Sequence, residues 1–155
     1  MPVNQSLEQR FCPASREDIP VIFSMAKELV DTYENLAAID YDKVIDWMQH
    51  KISQNISAYT CVYVGIEKAG YYCLTAESDQ TELDDLYILP QFRGQGIGTA
   101  VIKRCIEQVS TPLYLYVFKG NTDAIKLYSR MGFSVAEDVS QTRIIMRREV
   151  DRQQR

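Results

Sequence analysis

Three glycines at alternate positions, in the segment FRGQGIGTAV over residues 92–101, constrain this chain more than any other feature. A glycine within a helix is about 1 kcal/mol less favourable than an alanine, yet this segment continues into an apolar run with helical spacing. A strand-to-helix turn without Cβ atoms leaves several backbone N–H groups free at the positive end of the helix dipole. Gly94, Gly96 and Gly98 therefore predict a turn that binds an anion, with Arg93 as a fixed charge beside it, and a pyrophosphate suits this geometry.

Two common phosphate-binding motifs do not fit the sequence around these glycines. A Walker loop requires G-x-x-x-x-G-K-[ST], whereas Gly98 is followed by Thr99 and Ala100. A Rossmann fingerprint needs further alternating strands and helices and an acidic residue about 20 positions on, and too little chain follows Gly98. A tight turn without a ligand remains the structural alternative, although one glycine would suffice for it.

The composition indicates an ordinary globular protein. With 155 residues, 46% of them apolar and 25% charged, we expect a single domain over residues 1–150 and a polar tail over 151–155. The net charge of −4 argues against a nucleic-acid partner, which would need a basic face. No stretch reaches the roughly 18 apolar residues of a membrane span, and no basic segment followed by an apolar one begins the chain. These features predict a cytoplasmic protein with no membrane association.

Histidine and cysteine usage argues against a metal site. His50 is the only histidine, and it lies in an amphipathic run that is typical of a helix. The four cysteines are widely spaced and none forms a C-x-x-C pair, so we expect reduced thiols and no bound metal.

Hydrophobic periodicity predicts a mixed order of helices and strands. Helices are expected after the N-cap candidate Ser15 and after the N-cap candidate Asn121, the latter ended by Gly132 in the left-handed conformation. In chain order, the pattern predicts a strand or extended segment and then helices over 19–33 and 41–53. Strands follow over 58–66, 71–78 (after a turn at EKAG) and 81–89, then a helix over 97–109, a strand over 112–118, a helix after 121, and a closing hairpin.

Two segments of the sequence resemble signatures of the GNAT superfamily of N-acetyltransferases. The segment LYILPQFRGQGIGTAVI is similar to the family's acetyl-CoA loop, R-x-x-G-x-G, and NTDAIKLYSRMGF is similar to its second signature, N-x-x-A-x-x-x-Y-x-x-x-G-F. The matching positions are Arg93, Gly96 and Gly98 in the first and Asn121, Ala124, Tyr128, Gly132 and Phe133 in the second. Gln91, Gly94 and Gly96 also satisfy Q-x-x-G-x-G, which leaves two registers for the loop.

The resemblance implies an α/β (α+β) fold over nearly the whole chain, although the first 60 residues match by pattern only. The expected architecture is a mixed, mostly antiparallel central sheet of six to seven strands flanked by about four helices. In this family the fourth and fifth strands splay apart and form a cleft for acetyl-CoA.

The resemblance also implies acetyl-CoA as the co-substrate. The backbone of Ile88 and Leu89 would hydrogen-bond the pantetheine arm, the amides of residues 93–99 would hold the pyrophosphate, and the side chain of Asn121 would reach the cofactor. The cofactor-binding set implied in this way is Ile88, Leu89, Arg93, Gly94, Gln95, Gly96, Ile97, Gly98, Thr99, Asn121, Ala124 and Tyr128.

For catalysis, the resemblance assigns Tyr128 as the general acid, and a phenol with a pKa of about 10 stays protonated at neutral pH. A core aromatic on a helix face is the alternative. Glu82 is our candidate for the base that takes the proton of the amine, with a solvated strand edge as the alternative. Strand alternation places Glu82 and Asp84 on one face and Asp85 on the other, unless the bulge common in this family shifts the parity.

Acidic side chains in this strand favour a cationic amine, so Asp84 and Asp85 are expected to contact the acceptor, together with Tyr33. Branches that modify protein N-termini often have a glutamate where this chain has Tyr116. The expected function is acetyl transfer from acetyl-CoA to a primary amine of a small metabolite or peptide, by direct attack in a ternary complex. A non-catalytic acyl-CoA-binding module and a protein acetyltransferase are the alternatives, and the fold would permit a homodimer.

Overall fold

The computed structural model describes residues 8–151, so most of the predicted tail, residues 152–155, lies outside the described part of the chain. The elements follow the predicted order. They are β1 (Gln9–Pro13), α1 (Ile19–Tyr33), α2 (Tyr41–Gln54), β2 (Tyr59–Val64), β3 (Glu67–Ala76), β4 (Thr81–Ile88), α3 (Ile97–Gln108), β5 (Leu113–Phe118), α4 (Thr122–Arg130), β6 (Ser134–Asp138) and β7 (Arg143–Arg148).

Seven strands form one sheet in the order β1-β2-β3-β4-β5-β7-β6. Every neighbouring pair is antiparallel except β4 and β5, which run parallel. Those two strands pair only at Thr81 with Leu113 and at Glu82 with Tyr114. Beyond these pairs they separate, and we call the opening between them the fork. The predicted mixed sheet is confirmed.

Two apolar clusters cover the two faces of the sheet. Side chains from α1 and α2 pack against one face, where Tyr71 and Tyr87 are buried. Side chains from α3 and α4 pack against the other face, around Leu83 and Leu115. Because the fork lies between β4 and β5, a molecule that enters it reaches both faces of the sheet.

The predicted turn at EKAG, residues 67–70, is wrong. Glu67 already begins β3, and the turn lies at Gly65 and Ile66. Gly65 has a φ of +62°, a conformation that glycine adopts without a steric cost. Gly70 serves a different purpose, since a Cβ there would lie 2.1 Å from the Tyr87 carbonyl oxygen of β4. This glycine therefore marks a close approach of two strands and not a turn.

The start of α1 is fixed to the sheet through Asp18. The Ser15 amide donates to Asp18 Oδ2 at 2.8 Å, as the predicted N-terminal signal requires. Lys68 and Tyr71 of β3 both donate to Asp18 Oδ1, at 2.8 and 3.0 Å. This buried carboxylate holds α1 across the α1/α2 face of the sheet, next to the end of β4.

Candidate active site

The three glycines of the loop after β4 have two different roles. Gly94 and Gly96 have φ angles of +76° and +80°, and a Cβ at either position would meet nothing within 4 Å. Gly98 lies inside α3, where a Cβ would lie 3.1 Å from Leu127 Cδ2 of α4. The first two glycines therefore shape an exposed turn, whereas the third allows α3 and α4 to pack closely.

The turn over residues 94–99 presents free backbone N–H groups. No described group accepts a hydrogen bond from the amides of these six residues, and the first helical bond of α3 is from the Ala100 amide to the Gly96 carbonyl, at 3.0 Å. Such amides at a helix N-terminus bind anions favourably. The Arg93 amide differs, because it donates to the Pro90 carbonyl at 3.2 Å.

The backbone at the end of β4 offers one residue to the fork. Leu89 is engaged elsewhere, since its amide donates to the Ala69 carbonyl at 2.8 Å and its carbonyl accepts from the Phe92 amide at 2.9 Å. Hydrogen bonds along an antiparallel strand alternate in direction, so the amide and carbonyl of Ile88 point away from β3, toward the fork. The Ile88 carbonyl accepts from Arg93 Nε at 2.9 Å. Of the two backbone positions expected to bind pantetheine, Ile88 alone keeps a free amide.

The side chains of α4 form the opposite wall. Asn121 caps the helix as predicted, its Oδ1 accepting from the Ala124 amide at 3.4 Å, which leaves the side-chain NH₂ free to donate. Tyr128 is 8% exposed and its ring packs on Phe133, with ring centroids 5.8 Å apart. No described group hydrogen-bonds to the Tyr128 hydroxyl, and both burial and the charge of Asp84 raise the pKa of this phenol. Tyr128 is therefore a protonated hydroxyl without a structural partner.

All three acids of β4 lie on the α1/α2 face, so strict alternation, which placed Asp85 on the opposite face, is wrong, and the alternative of a bulge that shifts the parity is the one that the structure has. The register against β3 shifts between Tyr71 and Cys73, and Asp85 has a φ of +48°. This β-bulge inserts one residue into β4 and turns Asp85 to the side of its neighbour Asp84. Glu82, Asp84 and Asp85, which we call the acidic cluster, therefore share one side of the fork.

Two residues that no sequence pattern indicated, Lys51 and Tyr59, bind this cluster. The Lys51 ammonium of α2 forms an ion pair with Asp84 and lies 3.5 Å from Asp85 Oδ2. The Tyr59 hydroxyl of β2 donates to Asp85 Oδ2 at 2.5 Å. Burial and Asp84 raise the pKa of Asp85, and Lys51 and Tyr59 counteract this effect. Both partners are distant from β4 in the sequence, so no local signal could have found them.

Glu82 is the member of the cluster that forms no ion pair among the described residues. It is half-buried beside Tyr114 at the last pair before the fork opens. Burial and the charge of Asp84 raise the pKa of Glu82 to about 7, and Lys51 limits the rise. A carboxylate with this pKa can accept a proton near neutral pH and release it again.

Tyr33 lies at the other end of the fork. Its ring stacks on Phe118 at the end of β5, with centroids 5.9 Å apart, and Gly120 leaves room for it. The next residue, Glu34, accepts a hydrogen bond from Thr142, which joins the end of α1 to the turn between β6 and β7. No hydrogen bond or ring contact of the described chain joins Tyr33 to Asp84 or Asp85, so the expected acceptor residues do not form one cluster.

Residues 8–151 contain neither a metal-binding cluster nor a membrane-spanning helix. No group of three or more histidine, cysteine, aspartate or glutamate side chains in this part of the chain is arranged to hold a metal ion. None of its helices is both long and apolar enough to cross a membrane.

Comparison with known proteins identifies relatives with several different names, among them mycothiol, thialysine and peptidyl-lysine acetyltransferases. The chain is 33% identical to a mycothiol acetyltransferase of Corynebacterium aurimucosum over 78 residues, 45% of this chain and 26% of the relative. It is 38% identical to a thialysine N-epsilon-acetyltransferase of Mus musculus over 64 residues, 39% of this chain and 36% of the relative. The chain therefore matches only about a quarter to a third of the length of these relatives.

A solved structure matches over nearly its full length. The fold resembles PaiA N-acetyltransferase of Thermoplasma acidophilum in complex with coenzyme A, with a TM-score of 0.68 and 20% identity, over 92% of this chain and 99% of that one. The sequence model of the acetyltransferase (GNAT) family matches residues 22–133, which include the fork, the anion-binding turn and α4. This protein belongs to the GNAT family of acetyltransferases.

Proposed function

We propose that this protein transfers the acetyl group of acetyl-CoA to the nitrogen of a primary amine, by direct attack within a ternary complex. The observation that carries this proposal is the arrangement around the fork. Six free amides lie at one end, over residues 94–99, the unbonded hydroxyl of Tyr128 lies on α4, and a carboxyl group with a pKa of about 7 lies on β4.

The cofactor would bind through groups that have no other partner. Its pyrophosphate is held by the amides of residues 94–99, where the helix dipole of α3 favours negative charge. A carbonyl oxygen of the pantetheine arm accepts from the free Ile88 N–H, and the Asn121 NH₂ donates to the arm from the opposite wall. The Ile88 carbonyl is already engaged, since it accepts from Arg93 Nε at 2.9 Å.

Glu82 would act as the base. An alkylamine has a pKa near 10 in water and must lose a proton before it attacks. A carboxylate with a pKa of about 7 is a stronger base than an ordinary glutamate, and it accepts this proton directly or through one water. Asp84 and Asp85 are partly neutralised by Lys51, which leaves Glu82 as the free acceptor in the cluster.

Tyr128 would act as the acid. As the amine nitrogen forms its bond to the acetyl carbon, the bond between that carbon and sulfur breaks, and the leaving thiolate takes the proton of the Tyr128 hydroxyl. Its raised pKa keeps the hydroxyl protonated at neutral pH, so the proton is present when the thiolate forms. Because the hydroxyl has no competing hydrogen bond, it is free to donate to sulfur. Three proton transfers balance the reaction: one from the ammonium to Glu82 before attack, one from Tyr128 to the thiolate, and one from the acylated nitrogen, through water, back to the Tyr128 phenolate.

We propose that the acceptor is a cationic amine. The acidic cluster carries three carboxylates against the single ammonium of Lys51, so its field attracts positive charge. The names of two relatives agree with an amine acceptor, since one acts on thialysine at Nε and another is a peptidyl-lysine N-acetyltransferase. A small metabolite and a peptide both satisfy this description.

A titration with acetyl-CoA tests the proposal, with two matched glycine variants. Gly96→Glu places a carboxylate in the anion-binding turn. Gly65→Glu is the control, because Gly65 also has a positive φ with nothing within 4 Å of its Cβ but lies in the turn between β2 and β3. We expect calorimetry to show tight binding by the native protein and Gly65→Glu and at least a tenfold loss in Gly96→Glu. Equal binding by both variants would contradict the assignment of the turn, and no binding by the native protein would overturn the proposed function.

A further inference from the structure

Arg143 of β7 lies on the same side of the sheet as the acidic cluster. Its register partner on β5 is Phe118, and its guanidinium lies over the ring of Tyr116, 5.5 Å from the centroid. Tyr116 is 45% exposed and in turn contacts Tyr114, with ring centroids 6.3 Å apart. Glu82 pairs with Tyr114 across the base of the fork. Two exposed or half-exposed tyrosines therefore connect an acid at one end with an arginine at the other.

The Arg143 guanidinium has no partner to neutralise it. Its Nε is buried without a hydrogen-bond partner in the described chain, and none of the ion pairs between residues 8 and 151 includes it. Glu34, the acid that contacts the turn before Arg143, instead accepts hydrogen bonds from the Thr142 hydroxyl and from the Asn35 amide. A guanidinium without an ion-pair partner can bind a carboxylate, whose planar geometry it matches with two parallel hydrogen bonds.

The sheet geometry sets a lower limit on the backbone separation between Glu82 and Tyr116, the residue over which Arg143 lies. Tyr116 is two residues along β5 from the partner of Glu82. With a rise of about 3.3 Å per residue and about 4.8 Å between strands, the Cα atoms of Glu82 and Tyr116 are at least about 8 Å apart. Because Arg143 lies over Tyr116, we expect a molecule that reaches both Glu82 and Arg143 to separate its amine from its carboxylate by several bonds.

We propose that Arg143 binds a carboxylate of the acceptor, and that the substrate is an aminocarboxylate whose reacting amine is several bonds from that carboxylate. The inference rests on the proposed function, because it needs the amine to react beside Glu82. It explains why an acidic site carries an unpaired arginine on its rim. In an α-amino acid, the α-amino group and the carboxylate are too close together for the one to reach Glu82 while the other binds Arg143.

The test compares ω-aminocarboxylates of increasing length, from β-alanine to 6-aminohexanoate, with n-alkylamines of equal length. Release of coenzyme A is followed by a thiol reagent in the native protein, Arg143→Gln and Arg143→Lys. Arg10→Gln is the control, since Arg10 also lies over a tyrosine, Tyr63, at 5.1 Å, but on the edge strand β1. Lysine-containing peptides with a free or an amidated C-terminus distinguish a small acceptor from a peptide one.

We expect the longer aminocarboxylates to exceed the alkylamines by about tenfold or more in kcat/KM, chiefly through KM. This advantage is lost in Arg143→Gln, partly kept in Arg143→Lys and unchanged in Arg10→Gln, while all four proteins act equally on alkylamines. Equal use of both amine classes by the native protein would overturn the proposal. Absence of acetyl transfer to any amine would instead overturn the proposed function. In that case calorimetric binding of 6-aminohexanoate still reports on Arg143, because binding that Arg143→Gln does not weaken contradicts its role.

Discussion

Lys51 of α2 contacts the carboxylate of Asp84 and lies 3.5 Å from that of Asp85, so one ammonium compensates two adjacent acids on β4. This relationship leaves Glu82 as the acid of the cluster without an ion pair. Burial alone would lower the pKa of Lys51, but the two aspartates reverse this effect and raise it. The cation is therefore permanent, and it sets the field in which Glu82 titrates.

Replacing Lys51 by methionine is expected to move the acid limb of the pH–rate profile to higher pH. Lys51 lowers the pKa of Glu82, whereas Asp84, Glu77 and Asp85 raise it, so loss of the ammonium raises that pKa further above 7. Asp84 and Asp85 also lose their compensating charge, and we expect a destabilisation of about 1–3 kcal/mol in urea unfolding. Lys51→Arg keeps the charge and should restore the limb. An unchanged limb in Lys51→Met would refute the coupling.

Glu82→Gln is expected to lower kcat/KM by about a hundredfold or more, since general bases contribute of this order. In the native protein activity should rise with pH through about 7, as Glu82 loses its proton, and this limb should disappear in the variant. The decisive measurement is the pH dependence of kcat/KM from pH 5 to 9 with saturating acetyl-CoA. A limb that persists in Glu82→Gln would assign the titration to another group.

The same residue predicts a pH dependence of stability. A carboxyl group whose pKa is higher in the folded than in the unfolded state favours folding while it is protonated, and that contribution is lost as the pH rises from the unfolded value of 4.5 to about 7. The Tm of Glu82→Gln relative to the native protein should therefore increase across this range. Scanning calorimetry at pH 4.5 and pH 8 checks the sign, and a difference that does not change with pH would contradict the burial of this carboxyl group.

Sequence reasoning succeeded where the signal is local. The N-cap at Asn121, the left-handed residue Gly132 and the free amides after Gly94 all depend on backbone conformation within a few residues. The same local reasoning predicted the helix that ends at Tyr33 and the hairpin at the end of the chain. Each of these features is determined by residues that are neighbours in the sequence.

The errors came from contacts between distant segments. Lys51 and Asp84 are 33 positions apart, so their ion pair leaves no periodic trace. Asp85 changed faces because a bulge breaks the two-residue alternation. Gly70 resembles a turn glycine in the sequence, but it is required by the approach of β4. The assignment of a side chain to one face of the site therefore depended on tertiary packing that the sequence does not display.

The role of Gly98 can be separated from that of Gly96 by stability. A Cβ at position 98 would already lie 3.1 Å from Leu127 Cδ2 of α4. We therefore expect Gly98→Val to lower the free energy of unfolding by about 1–3 kcal/mol through overpacking. An alanine at position 96 would cost about 1–2 kcal/mol, because it would need a φ of +80°. Urea unfolding measures both effects. Adding Leu127→Ala should reduce the destabilisation caused by Gly98→Val and leave that caused by Gly96→Ala unchanged. An equal reduction in both would contradict the packing role of Gly98.

Tyr128→Phe should separate catalysis from stability. The hydroxyl has no hydrogen-bond partner in residues 8–151, so its removal leaves no buried group unpaired and the ring still packs on Phe133. We therefore expect a Tm within about 2 °C of the native value, since a change below about 0.5 kcal/mol shifts the Tm of a domain of this size only slightly. Turnover should fall by about a hundredfold or more while the Kd of acetyl-CoA is unchanged, because the thiolate then leaves without its proton donor. Stopped-flow measurement of thiol release and calorimetric titration give the two quantities independently. A variant that loses stability and keeps its turnover would identify Tyr128 as a core aromatic, and the proton for the thiolate would then have to come from solvent.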